Sequence, residues 1–443
     1  MVLTTREWLE ECAAAGLSAV HGGAAVARAI RRDAARVWIA DREIPASAGI
    51  RIVAIGKAAS AMAASATSLL GDRVRGGVIV TRDGHASSVP DGLEVRFAGH
   101  PVPDARSMEA GRFLLESVAA IGAGDVMLVL LSGGGSALTS CPADGLEMSD
   151  LARSTQALLA CGASIDELNC LRKHLSIVGG GRLAAASPAR EIHVLAISDV
   201  PGDRLDVIAS GPCTGDPTRF ADALAIVDRH ALASQLPARV LRHLAEGARG
   251  RVPESIDVDA PTLRRVHSTI VARNADARRA MLRFAGTGLD LGEVLLGEAG
   301  RTGRRLAALA AALRPGPGRL LVAGGETVVR LRGDGKGGRN QELALAAALG
   351  FEATAGDREV GLLALGSDGS DGPTDAAGGF VDADSARRAR DHGVDPDRLL
   401  ARNDSHRFLE LSGGLIRTGP TDTNVMDLVL MCVGGVPDGA RSG

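Results

Sequence analysis

A chain of 443 residues, at roughly 100–200 residues per domain, accommodates two or three domains, and 45% hydrophobic with 23% charged content excludes a disordered chain. A formal net charge of −3 leaves no electrostatic footprint for nucleic acid or an anionic bilayer. With 2% aromatic residues and no Tyr, stacking platforms for single strands are hard to build, so small molecules are the expected partners.

The opening MVLTTREWLEE is charged rather than a secretory leader, and no apolar run approaches the ~18 residues of a spanning helix. Cys12, Cys141, Cys161, Cys170, Cys213 and Cys432 show no CxxC pair or zinc spacing, as expected of reduced thiols in a cytoplasmic protein. Residues 5–44 carry apolar positions at helical spacing. A strand at 50–55 then runs into Gly56 and an Ala-rich helix. Strands are expected next at 77–81, 126–131 and 192–197, with helices at 106–120 and through Leu158 and Leu175. This alternation predicts an α/β fold with a parallel sheet covered on both faces. The Arg- and Ala-rich stretch from Pro237 to Pro261 marks the expected boundary, giving domains 1–245 and 246–443. Strands are expected beyond it at 266–271, 292–296, 320–323, 327–331, 361–365 and 425–432, and helices from Ala275, Arg304 and Gln341.

The sharpest motif is LLSGGGSAL, where a buried strand ends in Ser132, Gly133, Gly134, Gly135 and Ser136. Successive glycines let backbone N–H groups approach an anion, and two hydroxyls add donors, so this is a phosphate cradle in outline. It is not a Walker A loop: neither Lys57 nor Lys336 has the upstream glycine or the following hydroxyl. Nor is it a nucleophile elbow, since GxSxG fails at Leu138.

Only three Lys (57, 173 and 336) stand against 47 Arg. Lys is a compact point charge and Arg a planar fork, so positions that keep Lys in an Arg-using chain are candidates for a site that distinguishes them. Asn169, Arg172, Lys173 and Ser176 share one face of a predicted helix, either solvated or facing substrate. Asp199 stands at a strand's carboxyl edge, where it can accept a hydroxyl proton or hold Mg²⁺. GSDGSDGPTDAAGG brings Asp368, Asp371 and Asp375 together, either as oxygen ligands or as an acidic turn bonded to its own backbone. No HExxH occurs, and His100 in AGHPVPD sits in a tight loop.

Gly333, Gly335 and Gly338 match GxGxxG, which raises a nicotinamide dehydrogenase. The acidic partner expected ~20 residues onward is not well placed. The adjoining Arg339-Asn340-Gln341-Glu342 suits phosphoryl transfer better than hydride transfer. A kinase needs cradled phosphates, a Lys or Arg on the moving group, Mg²⁺ on carboxylates and an acid beside the attacking hydroxyl; each has a candidate here. Glycine-rich loops in both halves predict a cleft between domains.

Together, IGKAAS, GHPVPD, LSGGGSAL, GASIDELNCLRKHLSIVGGGRLA, ISDVPGD with IASGP, GGETVV, GGRNQE, SDGSDGPTDAAG and TGPTDTNVMDL resemble the glycerate 2-kinase family, whose second domain is called MOFRL. The motifs span nearly the whole chain in order. The resemblance implies a Rossmann-like first domain, a MOFRL-type α/β second domain and an active site between them. It implies ATP- and Mg²⁺-dependent phosphorylation of D-glycerate to 2-phospho-D-glycerate. Carried over, Lys57, Arg339 and Asp199 would be catalytic. Ser132 to Ser136, Lys336, Asn340 and Glu342 would bind the nucleotide. His100, Asn169, Arg172 and Lys173 would bind substrate, with Asp199, Asp368 and Asp371 on the metal. Cys213 departs from a common Thr, and Asp422 from a common Gly. The alternative, also used as a label in this family, is an NAD(P)H-dependent hydroxypyruvate reductase. Oligomeric state is left open.

Overall fold

The computed structural model describes residues 3–33, 36–86, 88–313, 318–356 and 358–437. They form two compact units, one of Gly22–Val271 and one of Met1–His21 with Ala272–Gly443. This division differs from the one expected at 245/246. The strand after that point completes the first unit's sheet, and the N-terminal helix Thr5–Val20 packs on Asn274–Ala285 in the second. Gly16 makes that packing close: a Cβ there would lie 2.7 Å from Met281 Cγ.

In the Gly22–Val271 unit, β1 (Ile30–Arg32), β2 (Val37–Ile39) and β3 (Arg42–Ile44) form a small antiparallel sheet. A helix was expected there. Val37 and Ile39 are buried on one side while Arg31 and Arg36 cover the Trp38 ring, a period of two rather than 3.6.

The main sheet of this unit contains β4 (Ile50–Ile55), β5 (Val74–Thr81), β6 (Leu93–Phe97), β7 (Val126–Leu131), β8 (Glu191–Ile197) and β9 (Val266–Ala272), in the order β6-β5-β4-β7-β8-β9. β4 pairs in parallel with β5 and β7, and β7 with β8. The central strands are near-continuous apolar runs because helices cover both faces. Numbered within the sheet, the order is 3-2-1-4-5-6, the doubly wound Rossmann arrangement, and its switch point lies between β4 and β7. Register puts Ile55 opposite Leu131 and Leu131 opposite Ala196, so three neighbouring strands end level. The loops leaving these three strands are therefore gathered at one edge.

The second unit holds a mixed sheet of β10 (Leu289–Asp290), β11 (Arg319–Gly325), β12 (Val360–Gly366), β13 (Gly378–Asp382), β14 (Leu415–Ile416) and β15 (Asp427–Val433), ordered β10-β11-β15-β12-β13-β14. β15 is antiparallel to both β11 and β12, and all of β12 and β15 is buried. The helix Arg339–Thr354 lies in this unit's core, and Gly303 admits the helix Ala299–Ala312 against its backbone, where a Cβ would collide with Leu343 O. The strands expected at 292–296 and 327–331 reduce to single bridges, Leu295 with Gly325 and Glu298 with Val328. Gly325 at φ 129° ends β11, and Met426 at φ 67° delays the last strand to Asp427. No helix among the described residues is long and apolar enough to cross a membrane.

Candidate functional site

At the switch point, the backbone after β4 and the backbone after β7 are laced together. Ser132 N–H donates to Ile55 O at 2.9 Å, Lys57 N–H to Gly133 O at 3.0 Å, and Ala58 N–H to Ser132 Oγ at 3.0 Å. Gly56 has φ 122°, and any Cβ there would collide with Ser132 Oγ. Only glycine lets the two loops approach so closely. The result places Lys57, 8% exposed, beside Ser132–Ser136.

Gly134 takes the left-handed conformation at φ 90°, and a methyl on it would lie 3.0 Å from His100 Cδ2 and 3.5 Å from Lys57 Cε. The imidazole, the ammonium stem and the glycine loop thus meet. His100 arrives from the segment after β6, and Asp199 comes directly after Ser198 at the end of β8. Four strand ends therefore supply one carboxyl edge, where open α/β sheets hold ligands.

A residue not singled out from sequence joins them. Ser136 Oγ lies 2.8 Å from Ser210 Oγ. Ser210 and the preceding Ala209 have φ of 61° and 51°. Non-glycine residues in that region cost roughly 1–3 kcal/mol each and persist only where surroundings enforce them.

The helix Ile165–Leu175 divides its polar face between two tasks. Lys173, 3% exposed, is paired with Asp206 at 3.5 Å and Asp216 at 3.4 Å. This buried ion pair, closed by Thr218 donating to Asp216, gives Lys173 a structural partner set in place of the substrate contact expected for it. Arg172 differs. Burial pushes its pKa down, and no carboxylate pairs with it among the described residues. Asn169 Nδ2, on the same face, is buried without an acceptor. The same helix face thus carries a cation with no carboxylate partner among the described residues and a buried amide donor without an acceptor.

In the second unit, Arg339 opens the helix Arg339–Thr354 and forks onto Asp427, with Nε to Oδ2 at 2.6 Å and Nη2 to Oδ1 at 2.9 Å, while Nη1 meets Glu326 at 2.9 Å. Burial works against its charge, but the Asp427 carboxylate outweighs burial and its pKa is raised. Asp427 and Glu326 were not singled out from sequence, although both lie in quoted motifs. Asp371 caps the same helix: its oxygens accept from Asn340 N at 3.1 Å, Gln341 N at 2.9 Å and Gln341 Nε2 at 3.1 Å. Asp368 accepts from Ser370 N and Oγ, both at 2.9 Å. The acidic turn reading therefore describes this loop better than a ligand set. Glu342 is buried and accepts from Asn403 at 2.9 Å, and burial raises its pKa. Asn340 donates to Asp371, and Lys336 is exposed, tied through its backbone to Asp404 and His406. Among the described residues no group of three or more His, Cys, Asp or Glu could hold a metal. Mg²⁺ does not require one, since it is commonly held by one or two carboxylates with phosphates and water.

Burial, with the nearby Asp427 charge, raises the Asp371 pKa from 3.8 to about 6. The folded chain thus binds this proton more tightly than the unfolded chain. Asp371's contribution is most favourable below pH 4 and is lost as pH rises toward 6. Asp371→Asn is expected to flatten melting temperature against pH across that window. An unchanged slope contradicts the assignment.

The GxGxxG glycines have an internal explanation. A Cβ on Gly333 would lie 2.7 Å from Arg402 Cα, on Gly335 2.5 Å from Asp404 Cβ, and on Gly338 would collide with Asp371. They admit the neighbouring loop, and twelve residues separate β11 from Gly338 where a dinucleotide fold needs a tight turn directly after a parallel strand. The dinucleotide expectation is not met.

Residues 8–245 match the family model described as a domain of unknown function, DUF4147, and residues 319–427 match the MOFRL family. The chain is similar to the D-glycerate 2-kinase of Thermotoga maritima, 40% identical over 86% of this chain and 89% of that protein. It is also 39% identical to a putative hydroxypyruvate reductase of Agrobacterium vitis, over 86% and 87%. A crystal structure of glycerate kinase from Thermotoga maritima aligns with a TM-score of 0.79 at 36% identity, covering 96% of this chain and 98% of that one.

Proposed function

Because the chain belongs to the glycerate 2-kinase family and is a kinase, we propose that it transfers the γ-phosphoryl group of ATP, with Mg²⁺, to the 2-hydroxyl of D-glycerate. The observation carrying this reading is the junction of Gly56-Lys57 with Ser132–Ser136 at the switch point of the parallel sheet. Phosphoryl transfer asks mainly for positioning and charge stabilisation.

In this reading the Ser132–Ser136 loop and the Lys57 ammonium hold phosphate oxygens, His100 borders them, and Arg172 with Asn169 reads the glycerate carboxylate. Asp199 takes the proton of the 2-hydroxyl as its oxygen bonds to the γ-phosphorus and the bond to the β–γ bridging oxygen breaks, releasing ADP. Mg²⁺ neutralises phosphate charge when bound, and in this reading Asp199 would also be the carboxylate that holds it. Asp371 and Glu342, occupied by backbone and amide donors, are left out of this assignment. Arg339 is the second proposed catalytic cation.

The test is pure protein with D-glycerate, ATP and Mg²⁺, with the product's phosphorylated carbon read by NMR, beside hydroxypyruvate and NADH. The expected result is 2-phosphoglycerate and ADP, with no NADH consumed. Phosphate on C3, or NADH oxidation without ADP, overturns the reading.

A further inference from the structure

We infer that Ser210 is a positioning residue for the phosphate loop, acting through Ser136; this rests on the kinase reading and deepens it. The two hydroxyls are 2.8 Å apart, and neither has another partner among the described residues. Two hydroxyls joined by one hydrogen bond leave one proton unassigned. Ser210 is 6% exposed, whereas Ser136 is half-buried. A buried O–H without an acceptor is costly, so the favoured direction has Ser210 donating to Ser136. The proton left over then belongs to Ser136, within the glycine loop beside Lys57, and is available to a phosphate oxygen. A hydroxyl that accepts one hydrogen bond donates a stronger one, so Ser210 polarises Ser136 as well as orienting it.

The backbone around Ser210 holds this geometry by force. Gly180 N–H donates to Ser210 O at 2.9 Å and Gly181 N–H to Gly211 O at 2.8 Å. Glycine is needed on both flanks: a Cβ on Gly135 would lie 2.6 Å from Ala209 Cβ, and one on Gly179 2.9 Å from Ser210 O. Two consecutive left-handed non-glycine residues are thereby clamped between the phosphate loop and the Gly179–Gly181 turn. A serine serving only as a turn residue would be better replaced by glycine, which adopts this φ without strain. The feature that glycine lacks is the hydroxyl aimed at Ser136.

Ser210→Gly keeps the backbone conformation and removes the hydroxyl, and Ser136→Ala removes its partner. ADP affinity by calorimetry, kcat, and KM for ATP and glycerate separate the alternatives, with melting temperature reporting folding. Ser210→Gly is expected to weaken ADP binding and raise KM for ATP by about three- to tenfold, leaving KM for glycerate unchanged. The double variant should lose no more than Ser136→Ala alone, a non-additivity that a merely structural serine does not produce. Wild-type ADP affinity in Ser210→Gly, or losses that sum in the double variant, overturn the inference. The ADP arm reads Ser210 whether or not glycerate is the acceptor. A wild-type chain that binds no ADP removes both readings.

Discussion

Lys57→Ala is expected to lower kcat by about 10²–10³ at saturating substrates, the loss seen when one preorganised group facing developing charge is removed. Its main-chain bond to Gly133 does not depend on the side chain, so the junction of the two loops survives the substitution. Lys57→Met keeps most of the packing of the 8%-exposed stem and serves as the control for stability. Lys57→Arg is the more pointed test. The chain carries 47 Arg and keeps Lys here, and a planar fork does not reproduce the compact point charge of an ammonium. Arg is therefore expected to rescue less than tenfold of the loss. Activity within a few-fold of wild type in Lys57→Ala sinks the assignment.

The scarcity of Lys marks Lys57, Lys173 and Lys336 alike, but the three stand in different surroundings. Lys173 sits in a buried ion pair with Asp206 and Asp216, and Lys336 contributes its backbone. Scarcity shows that a position resists Arg; it does not distinguish a ligand from a carboxylate of the chain itself. The position of the Ser132–Ser136 loop was legible because VMLVLL is so plainly a buried strand that the serines and glycines after it fall at a carboxyl edge. Ser210 was not, because its left-handed backbone comes from glycines elsewhere in the chain rather than from its own residue type. Asp427 was hidden for a related reason: its partner Arg339 is 88 residues away, and at the start of an apolar strand a carboxylate reads as an edge residue. The alternation in β1–β3 runs over three residues in each strand and is masked by the helical spacing around it, and the N-terminal helix carries no local sign that its partner lies beyond residue 272.

Removing Asp427 should have the larger effect on stability. Its side chain is 1% exposed and carries the bidentate contact to Arg339, while its backbone oxygen accepts from Asn274. Asp427→Ala leaves the guanidinium with Glu326 as its ion-pair partner among the described residues and Asp371 as a further nearby charge, and stranding one member of a buried pair costs about 3–5 kcal/mol. Because Arg339 keeps 34% of its side chain exposed, the lower end is expected, read as a shift of the urea midpoint at unchanged slope. That loss alone does not separate a structural Arg339 from a catalytic one. Replacing both members, as Arg339→Met with Asp427→Leu, does: apolar residues of similar volume commonly match or exceed a buried pair in stability, and the half-exposed Glu326 stays in contact with water. The double variant is expected to recover the urea midpoint while kcat stays at least a hundredfold below wild type, in keeping with a charge used in the transition state. If stability and kcat return together, Arg339 holds the fold of its unit, and the phosphoryl group is stabilised without it.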